Sequence, residues 1–303
     1  MRAAKCTTYD AFRARRAMPS LLHLMRPANI VTAHSDILAG YAVAGAANPS
    51  NLLLLLLATT GLYGGGVVLN DVFDAKLDAV ERPERPIPSG AISIAAASAF
   101  GGLLLAFGVV VAWLCSPLSG LVALTTALVA LLYDSWGKHH PVLGPFNMGL
   151  CRGLNLSLGL TAATLTPFAH WPAILVTLGY IAGITSISRG EVRGGTRTAA
   201  AISGVWLLLS FAALVALISS QGIRAAFALP FFVLLLYRIG KPFWRAFRSL
   251  SASEIRSAVK AGVLSLIVLN ACLAAVFAGP WYAIGVLLLY VPAFLLAKLF
   301  AVT

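Results

Sequence analysis

This chain reads as an all-α polytopic membrane protein. Only 11% of its 303 residues are charged, 59% are hydrophobic, and the mean hydropathy is +0.89; soluble domains carry about 25% charged residues. Ten apolar stretches approach the roughly 20 residues that a bilayer core requires. They run over 28–47, 51–70, 92–115, 117–134, 147–166, 171–188, 199–219, 223–239, 258–278 and 281–301. Several are separated by two or three residues, which argues for a single helical domain over 28–303 with no soluble module attached.

Residues 1–27 precede the first span as a basic, polar tail without the apolar region or small-residue site of a secretory signal. The tail carries Arg2, Lys5, Arg13, Arg15, Arg16 and Arg26, and if the spans alternate, 20 of the 22 Lys and Arg fall on one membrane face. Arg224 falls opposite and Arg152 lies inside a span. The positive-inside rule makes the basic face cytoplasmic, including both termini and residues 70–90. The expected location is the inner (plasma) membrane of a bacterium. Attraction to anionic membrane lipids accounts for the +12 net charge without a nucleic-acid partner.

The second span runs into the densest acidic segment of the chain. Asp71, Asp74, Asp78, Glu81 and Glu84 are half of its ten acids. If the helix continues past residue 70, Asn70, Asp74 and Asp78 recur every four residues and share a face, with Asp71 close beside it. Hard oxygen ligands gathered this way suit Mg²⁺; without a cation, crowded carboxylates repel and one must protonate. The competing reading is an exposed loop whose acids pair with Lys76, Arg82 and Arg85. Three prolines in ERPERPIPSG prevent a regular helix and predict a stiff loop before the third span. Arg82 and Arg85 would stand beside the cation site and could hold phosphate, so the segment points to a diphosphate.

NDVFDAKLDAVERPERPIPSG resembles the first aspartate-rich motif of the UbiA superfamily of intramembrane prenyltransferases, and it lies after the second span as that motif does. LMRPAN at 24–29 is similar to the family's Arg-Pro lead-in to the first helix. Tyr133 and Lys138 match a Tyr and Lys at the end of the fourth, and LGPFNMG at 143–149 resembles the opening of the fifth. YDSWGKHHPVLGPFNMGLCRGLNLSLG and SISRGEVRGG look closest to the branch of UbiA-like proteins called EboC. The resemblance implies a UbiA-like bundle of nine to ten transmembrane helices around a cytoplasm-facing polar cavity. It also implies Mg²⁺-dependent ionisation of an isoprenyl diphosphate and alkylation of an acceptor. Asn70, Asp74 and Asp78 would bind Mg²⁺, with Asp71 beside them, and Arg26, Arg82, Arg85 and Lys138 are diphosphate candidates. Asp74, Asp78 and Lys138 are the expected catalytic residues.

The second acidic motif departs from the family pattern. Aligning Arg197-Thr198 with the family's Arg-Thr pair, within the degenerate stretch 187–198, places Glu191 at the second Asp and Ile187 at the first. One carboxylate of two remains for metal, amid Arg189, Arg193 and Arg197. Arg189 could serve the diphosphate as counter-charge, or these arginines could simply mark the cytoplasmic face.

Other polar residues lie within the spans. Arg152 sits in the fifth, with Asn147, Cys151 and Asn155 sharing a face at i+4 spacing. Ionisable groups in membranes are costly and usually face the protein interior, so Arg152, Asn147 and Asn155 are cavity candidates with Tyr133; snorkelling is the alternative for Arg152. Asp36 would touch the acceptor, pair with Arg152 or join helices. Four scattered cysteines have no metal-ligand spacing and read as packing. Trp113, Trp136, Trp171, Trp281, Tyr282 and Tyr290 read as an interfacial belt, and 241–257 as a short amphipathic surface helix. The leading expectation is a prenyltransferase acting on a small hydrophobic or aromatic acceptor. Its rival is a non-enzymatic UbiA-like protein that binds or helps export a metabolite among membrane-pathway protein partners.

Overall fold

The computed structural model describes residues 20–45, 49–163 and 170–300. Most of the basic N-terminal tail lies outside the described residues. All ten expected spans contain helix: α1 Pro27–Val43, α2 Pro49–Phe73, α4 Ile94–Cys115, α5 Pro117–Ser135, α6 Leu143–Leu160, α7 Trp171–Ser188, α8 Arg197–Ser219, α9 Ala225–Ser249, α10 Ala252–Ala278, and the pair α11 Pro280–Leu288 and α12 Tyr290–Leu299. A short α3, Ala75–Glu81, follows α2. Eight helical segments among the described residues are long and apolar enough to cross a membrane. α1, at 17 residues, is too short for that set, and α6, with its Gly, Asn and Arg152, is not apolar enough.

Proline and hydroxyl side chains set many helix starts. Pro27, Pro117 and Pro280 open their helices, where a missing N–H costs nothing. Ser93, Ser116, Thr196 and Ser251 accept backbone N–H groups as N-caps. Leu250, at φ 55°, ends α9 and turns the chain into α10. α9 is therefore continuous through Pro242 to Ser249, and 241–257 is not a separate surface helix; its basic half extends a spanning helix and its second half opens α10.

Burial sorts the helices. α1, α6, α7 and α10 form the inner group, whereas α4, α8, α9 and the α11–α12 pair keep leucines such as Leu103, Leu208 and Leu229 exposed. In a bilayer those side chains face lipid. The inner helices meet backbone to backbone: a Cβ on Gly40 of α1 would collide with the Leu156 carbonyl of α6. Small residues give transmembrane helices this close approach. Trp113, Trp136, Trp171 and Trp281 are exposed near helix ends, as a belt requires. Tyr282 departs from it, its hydroxyl donating to the Leu38 carbonyl at 3.0 Å.

Candidate active site

The expected helical continuation past residue 70 holds, with one turn residue inserted. Asp74 interrupts the helix, yet Asp74 N–H donates to Asn70 O, Asp78 N–H to Asp74 O and Arg82 N–H to Asp78 O at 2.8–2.9 Å. The Pro-rich segment then runs as turns from Arg82 to Ser93. Ile87 and Ile92 pin it to Leu24, Val68 and Ala97. That anchorage folds Arg82 and Arg85 back over the acidic helix.

Beneath this loop lies a cavity of about 370 Å³ walled by α1, α2, α5, α6, α7 and α10. At its mouth Asn70 Nδ2 donates to Asp134 Oδ1 at 2.7 Å, which leaves the Asn70 carbonyl oxygen facing other partners. Lys138 Nζ lies 2.6 Å from Asp74 Oδ1. Arg82 Nη2 stands 3.9 Å from Glu191 Oε2, and Arg256 Nη1 donates to the Glu191 backbone carbonyl at 2.9 Å. Glu191 Oε1 is buried without a hydrogen-bond partner among the described residues. Burial pushes the Glu191 carboxyl up to about 7, against the lowering pull of Arg82 and Arg26.

A second tier of ion pairs ties two arginines of the wall to carboxylates behind it. Arg26 Nη2 bonds Asp71 Oδ1 at 2.7 Å, and Arg85 Nη1 bridges Asp71 at 3.2 Å and Asp78 at 2.7 Å. Burial raises the Asp78 carboxyl and the Arg85 hydrogen bond lowers it. Arg26 reaches this position from a left-handed backbone at φ 48° directly before Pro27. Such a conformation costs a non-glycine residue about 1–3 kcal/mol, and functional sites are where such strain collects.

The deeper wall is held by a different set of contacts. Arg152 Nη1 donates to Asp36 Oδ2 at 2.8 Å, and its Nη2 to Thr32 Oγ1 at 2.7 Å and Tyr63 OH at 3.4 Å. The guanidinium also lies over the Tyr63 ring, 4.5 Å from its centroid. Asn155 and Asn270 both donate to Asp36, at 3.0 and 2.8 Å. The two open questions about these residues resolve together: Arg152 does not snorkel, and Asp36 is its partner.

Of the residues singled out from sequence, Arg26, Asn70, Asp74, Arg82, Arg85, Tyr133, Lys138, Arg152, Asn155 and Glu191 line the cavity. Asp71 and Asp78 do not reach the wall, because the returning Arg85 captures both. Asp36 sits behind Arg152. Asn147 packs between α6 and α5, and with its amide turned to satisfy both neighbours its nitrogen donates to Val129 O at 3.0 Å and its oxygen accepts from the Tyr133 N–H at 3.3 Å. Arg189 is exposed at the end of α7, outside the wall, and Ile187 is core. Asp134 and Tyr63 are wall residues that the sequence reading left out of the site. Both carried a signal: Asp134 sits beside Tyr133 at the end of the fourth span, four residues before Lys138, and Tyr63 lies seven residues before Asn70 on the same face of α2.

No group of three or more His, Cys, Asp or Glu among the described residues is close enough together to hold a metal ion. The reason is local, since nearly every carboxylate at the mouth already has a basic neighbour. The donors still fit Mg²⁺ chemically. Asn70, Asp74, Asp134 and Glu191 offer hard oxygens, one of them orphaned, and Mg²⁺ commonly takes one or two carboxylates and completes its shell with water and substrate phosphate.

Apolar helices of spanning length around a cavity with a charged mouth define an integral membrane protein with an ion-lined internal site. The UbiA prenyltransferase family model matches residues 36–262, and the chain belongs to that family. It is thus a membrane prenyltransferase by family. It is 34% identical over 211 residues to the digeranylgeranylglyceryl phosphate synthase of Methanothrix thermoacetophila, covering 66% of this chain and 79% of that one. The apo structure of a UbiA homolog from Aeropyrum pernix K1 superposes with a TM-score of 0.66 at 16% identity, covering 86% and 96% of the two chains. A UbiA homolog from Archaeoglobus fulgidus bound to GPP and Mg²⁺ gives 0.53 at 17% identity, covering 88% and 99%. These relatives are archaeal, and none of them speaks for the EboC branch.

Proposed function

We propose that this protein transfers an isoprenyl group from its diphosphate to a lipid-soluble acceptor, using Mg²⁺. The observation that carries the reading is the mouth: four oxygen-bearing residues, Asn70, Asp74, Asp134 and Glu191, and four basic ones, Arg26, Arg82, Arg85 and Lys138, line one cavity. Diphosphate oxygens would draw Lys138 off Asp74 and Arg82 off Glu191. The freed carboxylates and the Asn70 carbonyl would then hold Mg²⁺. Each ion therefore needs the other, because either alone would break ion pairs without replacing them.

When bound, Mg²⁺ supplies neutralisation of the charge that develops on the departing diphosphate. Lys138, Arg82 and Arg85 add preorganised positive charge there. Below the mouth, Ile181, Ile184, Val259 and Val263 form an apolar wall that suits an isoprenoid chain and keeps water from an allylic cation. The relatives' name, digeranylgeranylglyceryl phosphate synthase, supports extending the acceptor class beyond small aromatic compounds to glycerol-based lipids.

The rival reading is a UbiA-like protein that binds a diphosphate without turnover, and it draws on the missing carboxylate at Ile187, now a core residue. Purified protein incubated with labelled geranyl, farnesyl and geranylgeranyl diphosphates, a lipid extract, and either Mg²⁺ or EDTA separates the two. Transfer that requires Mg²⁺ and disappears in Asp74→Ala supports the enzyme. Tight diphosphate binding with no labelled product across the acceptor panel supports the binding protein.

A further inference from the structure

The floor of the cavity lies away from the diphosphate mouth. Tyr63 is seven residues before Asn70 on α2, and helix rise sets its level about 10 Å from the mouth. There Tyr63, Arg152 and Asn155 face the same space as the mouth residues. Arg152 and Asn155 already spend their hydrogen bonds on Asp36, Thr32, Thr59 and the Ala33 carbonyl. The polar group left for a ligand is therefore the Tyr63 hydroxyl, and covering it with an isoprenoid chain that offers no acceptor would cost about 1–3 kcal/mol. The floor is polar, so it suits a polar end.

The charge state of the floor narrows what that polar end is. Asp36 is fully buried, and its two oxygens accept from Asn270, Arg152 and Asn155 and donate to nothing. A carboxylate surrounded only by donors is the ionised form. It compensates Arg152 one to one, and among the described residues no other charged side chain lines the floor. The site is therefore neutral in sum despite its guanidinium. Tyr63 OH accepts from Arg152, and its own proton has no acceptor among the described residues. A hydrogen-bond donor with an unassigned proton stands at a neutral floor.

We infer that Tyr63, with Arg152 behind it, forms the subsite for the acceptor's polar end, and that this end is an uncharged oxygen function, a hydroxyl or carbonyl. The inference rests on the prenyl-transfer reading for the word acceptor. Asp36 and Asn270 are positioning residues: they fix Arg152 and cancel its charge. Discrimination against anionic groups at this depth comes from Asp36, because a second negative group would meet a pair already balanced; an acceptor that also carries a phosphate, as the relatives' name describes, would have to keep that phosphate away from this floor.

Binding tests this without turnover, so that failure of the subsite is separable from failure of catalysis. The mouth is filled with Mg²⁺ and inorganic pyrophosphate. Specific binding is then measured for two matched probe pairs: 4-propylphenol against 4-propylbenzoate, and 1-O-octylglycerol against octyl phosphate. The pairs distinguish an aromatic from a glycerol-lipid source of the same oxygen chemistry. The expected result is saturable binding of at least one neutral probe, weaker binding of its anionic partner, and roughly tenfold loss of the neutral probe in Tyr63→Phe. Asp36→Asn leaves Arg152 uncompensated and is expected to reverse the preference toward the anion, an outcome that looser packing alone does not produce. If Asp36→Asn does not fold, Tyr63→Phe decides. Absence of binding by both neutral probes, tighter wild-type binding of the anions, or unchanged affinity in Tyr63→Phe overturns the assignment.

Discussion

The mouth and the floor of this cavity both consist of carboxylates against basic side chains, but they are built to opposite ends. At the mouth the Lys138 side chain keeps 11% of its surface exposed, Asp74 21% and Arg82 29%, and Glu191 has an unsatisfied oxygen. At the floor Asp36 is fully buried and held by three donors on α6 and α10. Partly hydrated pairs exchange partners at little cost. A dry, fully bonded pair does not, because losing one member strands the other. The mouth is a place where ions trade; the floor is a fixed surface.

The difference is open to attack from both sides. Asp36→Ala removes the partner of a buried guanidinium and is expected to lower unfolding stability by about 3–5 kcal/mol, read by denaturation in detergent. Little loss of stability would mean that the floor is hydrated and exchangeable like the mouth. At the mouth, Asp74→Asn is expected to leave stability nearly unchanged and to reduce label transfer about 10²–10³-fold. Glu191→Gln keeps the shape and removes the charge beside Arg82, with an expected tenfold loss of rate, about 1.4 kcal/mol; an unchanged rate takes the second motif out of the site. Smallest is Arg193→Ala, which breaks a pair with Glu81 in which Arg193 is 81% exposed. Its effect on stability is expected below about 1 kcal/mol.

The sequence made the helices legible and left most of the pairing dark. Hydropathy located ten segments because lipid imposes length and apolarity on each. Spacing along one helix placed Asn70 and Asp74 together, and the prolines at 83, 86 and 88 announced the loop. Which acid faces the cavity was another matter. Asp71 and Asp78 are taken by Arg85, which returns only once Ile87 and Ile92 have anchored the loop. Asp36 meets Arg152 across 116 residues and Asn270 across 234, separations no local pattern encodes. The surface helix expected at 241–257 failed for a related reason: its polarity reflects where α9 and α10 leave the membrane, not a separate element.

The central claim is that the mouth trades its internal ion pairs for a Mg²⁺-bound diphosphate. Calorimetric titration of wild-type protein with a non-hydrolysable analogue of geranyl diphosphate, in Mg²⁺ and in EDTA, tests it most directly. The expected result is affinity at least tenfold higher with Mg²⁺, a gain lost in Asp74→Asn, since the two ions are coupled through the same carboxylates. Equal affinity with and without Mg²⁺, or a Mg²⁺ effect that survives in Asp74→Asn, contradicts the account.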